Sequence, residues 1–163
     1  MKFLQKTNKN SELMMTLTEL MPIIVSALNR FQKVKMRITG SSMMPIILHN
    51  DEILMQKNKS LHTGDVVFFE YPKNYFAIHR IIKIQGEKIW VRGDSQYYSQ
   101  GPIPFRAVYG IVFTSYHRGK KRHLQNGIWR FVGLIWFRSF PVSVLFLDLA
   151  FLLGKMFKKV NPI

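Results

Sequence analysis

The feature that most constrains the fold is a series of short runs of branched and aromatic residues between residues 33 and 116. Turn residues such as glycine, proline and asparagine separate these runs, which is the pattern of strands joined by tight turns. The runs are KVKMRI at 33–38, EILMQ at 52–56, DVVFFEY at 65–71, YFAIHRIIKI at 75–84, EKIWVR at 87–92 and RAVYGIVFTSY at 106–116. Such spacing predicts a mainly β domain over residues 33–116, built on a bent and mostly antiparallel sheet.

The segments between the runs are predicted to be turns or connectors. They read GSSMMP at 40–45, NKSLHTG at 58–64, PKN at 72–74, QGE at 85–87 and GDSQYYSQGPIP at 93–104. The stretch HRGKKRHLQNG at 117–127 is strongly basic and is interpreted as a solvated connector.

A helix is predicted before the β domain, within residues 1–32. Apolar residues recur every three or four positions from Leu13 to Phe31, which is the stripe of an amphipathic helix. Pro22 interrupts the stripe and predicts either a kink or a helix that begins near that residue. A helix that covers the core is favoured over one that binds a membrane or a partner.

Residues 117–163 are predicted to form a basic, apolar, helical extension. Its most apolar stretch, 128–157, is divided by charged residues and a proline, which are Arg130, Arg138, Pro141 and Asp148. Because a membrane-spanning helix needs about 20 largely apolar residues, two short interfacial or core helices are expected. Integral insertion of this segment is the alternative.

The net charge of +15 is concentrated at the two ends of the chain. Residues 39–115 hold eight basic and six acidic side chains, whereas residues 116–163 hold nine basic side chains and one acidic. The basic ends are also apolar, which favours an anionic surface of the cytoplasmic membrane as a partner. The aromatic residues are not interleaved with a basic face, so no nucleic-acid partner is expected.

The composition also excludes several kinds of site. The chain has no cysteine, which rules out thiol catalysis, disulfides and cysteine-ligated metals. The histidines and carboxylates have no metal-ligand spacing, and no glycine-rich nucleotide loop occurs. Neither a metal nor another cofactor is therefore expected.

The stretch GSSMMP is either an ordinary turn or the carrier of a nucleophilic serine. A catalytic serine needs a base within hydrogen-bond reach and donors for the developing oxyanion. Of the five histidines, only His79 is embedded in a predicted strand, where alternation places it on the same face as Ala77 and Ile81. An imidazole among apolar neighbours stays neutral and usable as a base. Taken by themselves, these residues are better explained as an ordinary turn and a half-buried structural histidine.

The carboxylates are few enough to be considered individually. Asp51 and Glu52 are interpreted as solvated charges at the start of a strand, and Asp65 as the cap of a turn. Asp94 ends a predicted strand, where it is either a turn residue or the carboxylate that orients a histidine.

Five motifs in order carry a resemblance to a known family. They are GSSMMP at 40–45, TGDVVFF at 63–69, AIHRIIKI at 77–84, WVRGDS at 90–95 and GPIPFRAVYGIVF at 101–113. This succession resembles the serine peptidase superfamily of type I signal peptidases and LexA-type self-cleaving repressors. The resemblance covers about half of the chain and implies the bent β fold of that superfamily.

The resemblance distinguishes between the two serines. In this superfamily the nucleophile directly precedes the methionine of a Ser-Met-x-Pro box, which implies Ser42, followed by Met43 and Pro45. Ser41 then has a supporting role. Bacterial signal peptidases have an oxyanion-hole serine where this chain has Gly40, so the donor is expected from backbone N–H groups, Thr39 or Ser41.

The implied base is a histidine. Bacterial members use a lysine followed by arginine, and the matching pair here is His79–Arg80, which resembles the endoplasmic-reticulum and sporulation-type signal peptidases. In those enzymes an aspartate of the downstream Gly-Asp box is implicated, which implies that Asp94, after Gly93, orients His79. The upstream Gly-Asp box corresponds to Gly64–Asp65. Lys83 is the competing base, but four residues of strand place it about 13 Å further along.

The resemblance implies a bacterial serine endopeptidase that cleaves signal or leader peptides from precursors. The basic C-terminal extension is similar to those of small signal-peptidase-like proteins encoded beside genes for ribosomally made, modified peptides. The alternative hypothesis is a catalytically inactive peptide-binding module that docks on a membrane surface.

Overall fold

The computed structural model describes residues 2–5, 13–30, 33–57 and 60–160. Strands β1 (Lys2–Gln5) and β2 (Leu13–Thr16) form an antiparallel pair, and α1 (Leu17–Asn29) follows directly. The predicted N-terminal helix is confirmed, although it begins at Leu17, and Phe31 lies outside the described residues. Met21, Ile24 and Leu28 of α1 are buried in the core, so this helix covers the core as expected.

The predicted mainly β fold is confirmed by an eight-stranded antiparallel sheet. Its strands are β3 (Val34–Arg37), β4 (Glu52–Gln56), β5 (Val66–Glu70), β6 (Phe76–Gln85), β7 (Lys88–Arg92), β8 (Gln100–Pro104), β9 (Val108–His117) and β10 (Lys120–His123). The order across the sheet is β3-β4-β9-β5-β6-β7-β8, and β10 pairs with β9. The sheet order therefore places β5, β6 and β7 next to one another.

Two strands lie where turns or connectors were predicted. Strand β8 occupies residues 100–104 and pairs only with β7 within the described chain, a position at the sheet edge where Pro102 and Pro104 are tolerated without an N–H group. Strand β10 is made of Lys120–His123, and Lys120 pairs with His117 across a tight turn. Both segments lack the apolar alternation that reveals a strand in a sequence.

The centre of the sheet is buried on both faces. One core cluster contains Phe68 and Ile78 together with residues of α1, and the other contains Val67, Phe69 and Ile81. Neighbouring residues of β5 and β6 therefore alternate between two apolar environments, which explains the continuous apolar run VVFF in β5.

The C-terminal helices are α2 (Gly127–Arg138) and α3 (Val142–Val160), in agreement with the two helices expected there. Helix α2 packs on the sheet beside β6, where a Cβ atom on Gly133 would lie 3.1 Å from the Arg80 guanidinium. In the described part of the chain, no helix combines the length and the apolar character needed to cross a bilayer. Such a crossing was the alternative for this segment.

Candidate active site

The loop between β3 and β4 carries Ser42 and is closed at its base by hydrogen bonds. Ile38 N–H donates to the Asp51 carbonyl at 3.0 Å, and Asn50 N–H donates to the Ile38 carbonyl at 3.0 Å. The Asp51 carboxylate is buried, accepts from Leu48 N–H at 2.9 Å, and lies 2.6 Å from Nδ1 of His117. The interpretation of Asp51 as a solvated charge is therefore wrong, because its carboxylate holds the loop closed.

The two serines of this loop have different surroundings. Ser41 is exposed and Ser42 is half-buried, whereas Met43 is buried in the core and anchors the loop. Ser95 holds the same stretch from the other side, because its hydroxyl donates to the Ser41 carbonyl at 2.8 Å and its N–H to the Ser42 carbonyl at 3.0 Å. The serine loop is thus bound to the turn that follows β7.

Gly93 brings this loop close to the strand that carries His79. Gly93 directly follows Arg92, which ends β7 and pairs with Arg80, the neighbour of His79 in β6. A Cβ atom on Gly93 would lie 2.5 Å from the Ser42 carbonyl oxygen, so the serine loop packs directly on this residue. The Ser42 loop therefore lies at the end of β7, near the part of β6 that carries His79 and Arg80. Among the described residues, the Ser42 hydroxyl makes no hydrogen bond with His79.

His79 is only 2% exposed and lies in an apolar environment. Its ring is tilted against Phe69, with 5.7 Å between the ring centroids, and its Nδ1 atom lies 3.2 Å from Oε1 of Gln100. Burial lowers the pKa of His79 from 6.5 to about 4, and the hydrogen bond with Gln100 opposes this change. The imidazole is therefore neutral at neutral pH, as a general base must be.

Asp94, expected to orient His79, binds Arg80 instead. Arg80 Nε donates to Asp94 Oδ1 at 2.8 Å, and Nη2 donates to Oδ2 at 2.6 Å. His79 and Arg80 are neighbours in a strand and project to opposite faces, so a carboxylate on the arginine face cannot serve the histidine. The buried guanidinium needs this charge partner, and Gln100 occupies the position at His79 that sequence reasoning gave to Asp94.

The upstream Gly64–Asp65 box supports the same arginine. The Gly64 carbonyl accepts from Arg80 Nη1 at 2.8 Å, and Gly64 has a φ of +93°, a left-handed conformation that favours glycine. The buried Asp65 carboxylate accepts from His62 N–H at 2.9 Å, which confirms the predicted turn cap. Its other oxygen lies 3.7 Å from Arg130 of α2.

The backbone around Gly40 narrows the choice of oxyanion donors. Gly40 has a φ of +128°, and its N–H donates to Nδ1 of His49 at 3.1 Å. That N–H is thus already used. Within the described residues the Ser42 N–H has no hydrogen-bond partner, which leaves it available to an oxyanion. Thr39 is half-buried and Ser41 is exposed beside it.

Helix α2 covers the Arg80–Asp94 pair, a role that sequence reasoning missed. The Trp136 indole Nε1–H donates to the Asp94 carbonyl at 2.9 Å, and Gly133 allows the helix to approach the guanidinium. In the sequence, only Gly133 and Trp136, three positions later, could have indicated that this helix packs closely on the ion pair. The turn that holds Ser42 is therefore itself held by a C-terminal helix.

Comparison with known proteins identifies the family of the chain. None of the curated proteins matches the chain. The family described as "Signal peptidase, peptidase S26" matches residues 11–126, which is most of the chain and ends just before α2. The motifs, the antiparallel sheet and this match together establish that the chain belongs to the signal peptidase family, peptidase S26.

Proposed function

We propose that the protein is a serine endopeptidase that cleaves signal or leader peptides from precursors, with Ser42 as nucleophile and His79 as general base. Membership of the signal peptidase family supports proteolysis of this kind in general. The observation that carries the assignment of residues is the packing of the Ser42 loop on Gly93. Gly93 follows Arg92, the β7 partner of Arg80, and Arg80 is the neighbour in β6 of the buried and neutral His79.

The proposed reaction uses these groups in sequence. Nε2 of His79 takes the proton of Ser42 as Oγ attacks the scissile carbonyl, and the Ser42 N–H stabilises the resulting oxyanion. His79 then gives the proton to the leaving amine, which departs as the acyl-enzyme forms. Water then attacks the ester of the acyl-enzyme while His79 takes a proton from the water. His79 returns this proton to Oγ of Ser42, and the peptide leaves as a carboxylic acid.

Lys83 is a poor alternative base in this geometry. Its side chain is exposed, and Nζ lies 4.8 Å from the centroid of the Trp90 ring. A bulge between Ile81 and Lys83 also shifts the register of β6 against β7.

The pH dependence of cleavage distinguishes the two bases. Because burial lowers the pKa of His79 to about 4, cleavage should persist from neutral pH down to about pH 4 and fall below it, where the base is protonated. A rise of activity only above pH 8 would identify a lysine base instead.

The direct test is cleavage of a candidate precursor peptide by the purified protein. Ser42→Ala and His79→Ala should each abolish turnover, and a serine-reactive acylating probe should label the parent protein but not Ser42→Ala. Ser26→Ala, at an exposed serine of α1, is the matched control and should retain labelling and activity. If Ser42→Ala cleaves like the parent, the assignment is wrong, and if the parent is neither labelled nor active, the inactive peptide-binding module is favoured.

A second part of the proposal is that the protein docks on the anionic surface of the cytoplasmic membrane. Helices α2 and α3 expose many large apolar side chains, among them Ile128, Phe131, Ile135, Val142, Leu145 and Phe146. Residues 116–163 also hold nine basic side chains and one acidic. Exposed apolar helices with basic residues bind the interface of anionic bilayers.

Liposome co-sedimentation tests this docking. Binding to phosphatidylglycerol vesicles should exceed binding to phosphatidylcholine vesicles and should fall with salt. Phe131→Glu and Phe146→Glu should weaken binding, whereas Tyr75→Glu, at an exposed tyrosine before β6, should not. Equal binding to both kinds of vesicle at all salt concentrations would contradict the proposal.

A further inference from the structure

We propose that Gln100 is the residue that positions His79 for catalysis, by accepting the hydrogen of Nδ1 and leaving Nε2 free as the base. This inference rests on the proposed function. Gln100 begins β8 and pairs with Val91 of β7, and its Oε1 atom lies 3.2 Å from Nδ1 of His79. Since His79 is almost completely buried, bulk water cannot readily replace this contact.

The contact determines which ring nitrogen carries the proton. A neutral imidazole has one N–H group and one lone pair, and the hydrogen-bond partner of one nitrogen sets the role of the other. An amide oxygen at Nδ1 accepts the N–H there. The lone pair is then on Nε2, the nitrogen that the reaction requires.

An amide differs from a carboxylate in that position because it carries no charge. Arg80, Asp94 and Arg92 belong to the opposite face of the sheet, where Arg92 contacts Phe140 and the carboxylate is bound by Arg80. On its own face, His79 meets Phe69 and Gln100. Gln100 therefore orients the ring without stabilising the imidazolium as strongly as an aspartate would, and the buried base stays unprotonated.

Two substitutions separate this positioning role from a merely structural one. Gln100→Leu removes the acceptor and should lower kcat by about 10²- to 10⁴-fold with little change in KM, because the wrong tautomer is then populated. Gln100→Glu keeps an acceptor and adds a charge, so it should keep substantial activity near neutral pH. The acid limb of its pH profile should move upward from about pH 4, because a carboxylate stabilises the imidazolium.

Gln85→Leu and Gln85→Glu are the matched controls, because Gln85 is an exposed residue at the end of β6. Neither should change kcat or the acid limb. Thermal unfolding of every variant checks that the fold is retained. A Gln100→Leu protein that cleaves like the parent, or a Gln100→Glu protein with an unshifted acid limb, would overturn the inference.

A spectroscopic measurement gives an answer that does not depend on turnover. In ¹⁵N-histidine NMR spectra of the parent protein, His79 should have its proton on Nδ1, and Gln100→Leu should shift the population toward the other tautomer. A parent protein with the proton on Nε2 would contradict the inference. If Ser42→Ala is inactive while Gln100→Leu behaves like the parent, the inference fails and the proposed function stands.

Discussion

His79 and Arg80 are adjacent in β6, and each is 2% exposed, yet burial has opposite outcomes for the charges of the two side chains. Arg80 is surrounded by the Asp94 carboxylate and the Gly64 carbonyl, which compensate a positive charge removed from water. His79 has a neutral amide and a phenyl ring as neighbours, so it loses its charge instead. Strand alternation thus separates a charged support from a neutral reactive group within two consecutive residues.

The largest effect should come from removing the compensating charge on the Arg80 face. Asp94→Asn leaves a buried guanidinium without its anion and should lower the free energy of unfolding by about 3–5 kcal/mol. Urea denaturation measures this loss. The double variant Arg80→Leu/Asp94→Leu should recover much of it, because neither charge is then buried.

Asp148→Asn is the control for that substitution. Asp148 is exposed and accepts a hydrogen bond from the Tyr97 hydroxyl at 2.8 Å, so its neutralisation should change stability far less than Asp94→Asn does. The compensation described for Arg80 would be refuted if Asp94→Asn were as mild as this control.

The second effect concerns the His79 face and depends on pH. The folded-state pKa of His79 is lowered to about 4 from 6.5, so the unfolded state binds more protons between these values. Protonation of His79 therefore leaves the free energy of unfolding unchanged above pH 6.5. As the pH falls from 6.5 toward 4, it lowers the free energy of unfolding by about 3 kcal/mol. Urea unfolding at several pH values should therefore show a steeper loss for the parent than for His79→Gln. Parallel curves for the two proteins would contradict the prediction.

The smallest effect should come from the helix that covers the Arg80 face. Trp136→Phe removes the indole N–H that donates to the Asp94 carbonyl and should cost about 1 kcal/mol of stability. The acid limb of cleavage should stay near pH 4, because His79 lies on the other face. Trp129→Phe is the control for cleavage, since the Trp129 ring contacts Arg122, with 4.5 Å from Cζ to the ring centroid, and not the Asp94 turn. A shifted acid limb in Trp136→Phe would show that the two faces are coupled.

The local pattern of the sequence was sufficient for β5, β6 and their faces. Alternation predicted that Ala77, His79 and Ile81 share a face, and Ala77 and Ile81 indeed lie in one core cluster, where Phe69 contacts His79. Strand β8 was missed because two of its five residues are prolines. Its position depends on pairing with β7, which no local pattern contains.

Partners across the sheet could not be predicted in the same way. Asp94 is close enough in sequence to serve either His79 or Arg80, and only the packing of the following turn under α2 decides between them. Asp51 is buried because His117 reaches it from 66 residues further along the chain. The role of Gln100 could not be recognised in the sequence, because a glutamine in a predicted polar turn is ordinary. Only the pairing of β8 with β7 places it beside a buried imidazole.

The position of α2 over the Arg80–Asp94 pair has a consequence for the order of synthesis. Chains grow from the N-terminus at about 5–20 residues per second, and α2 follows all eight strands of the sheet. While the ribosome is still adding this helix, the ion pair lacks its cover and the Asp94 carbonyl lacks the Trp136 donor. Ser42, His79 and all the strands are therefore synthesised before α2, and the support of the Asp94 turn is completed only once this helix has been made.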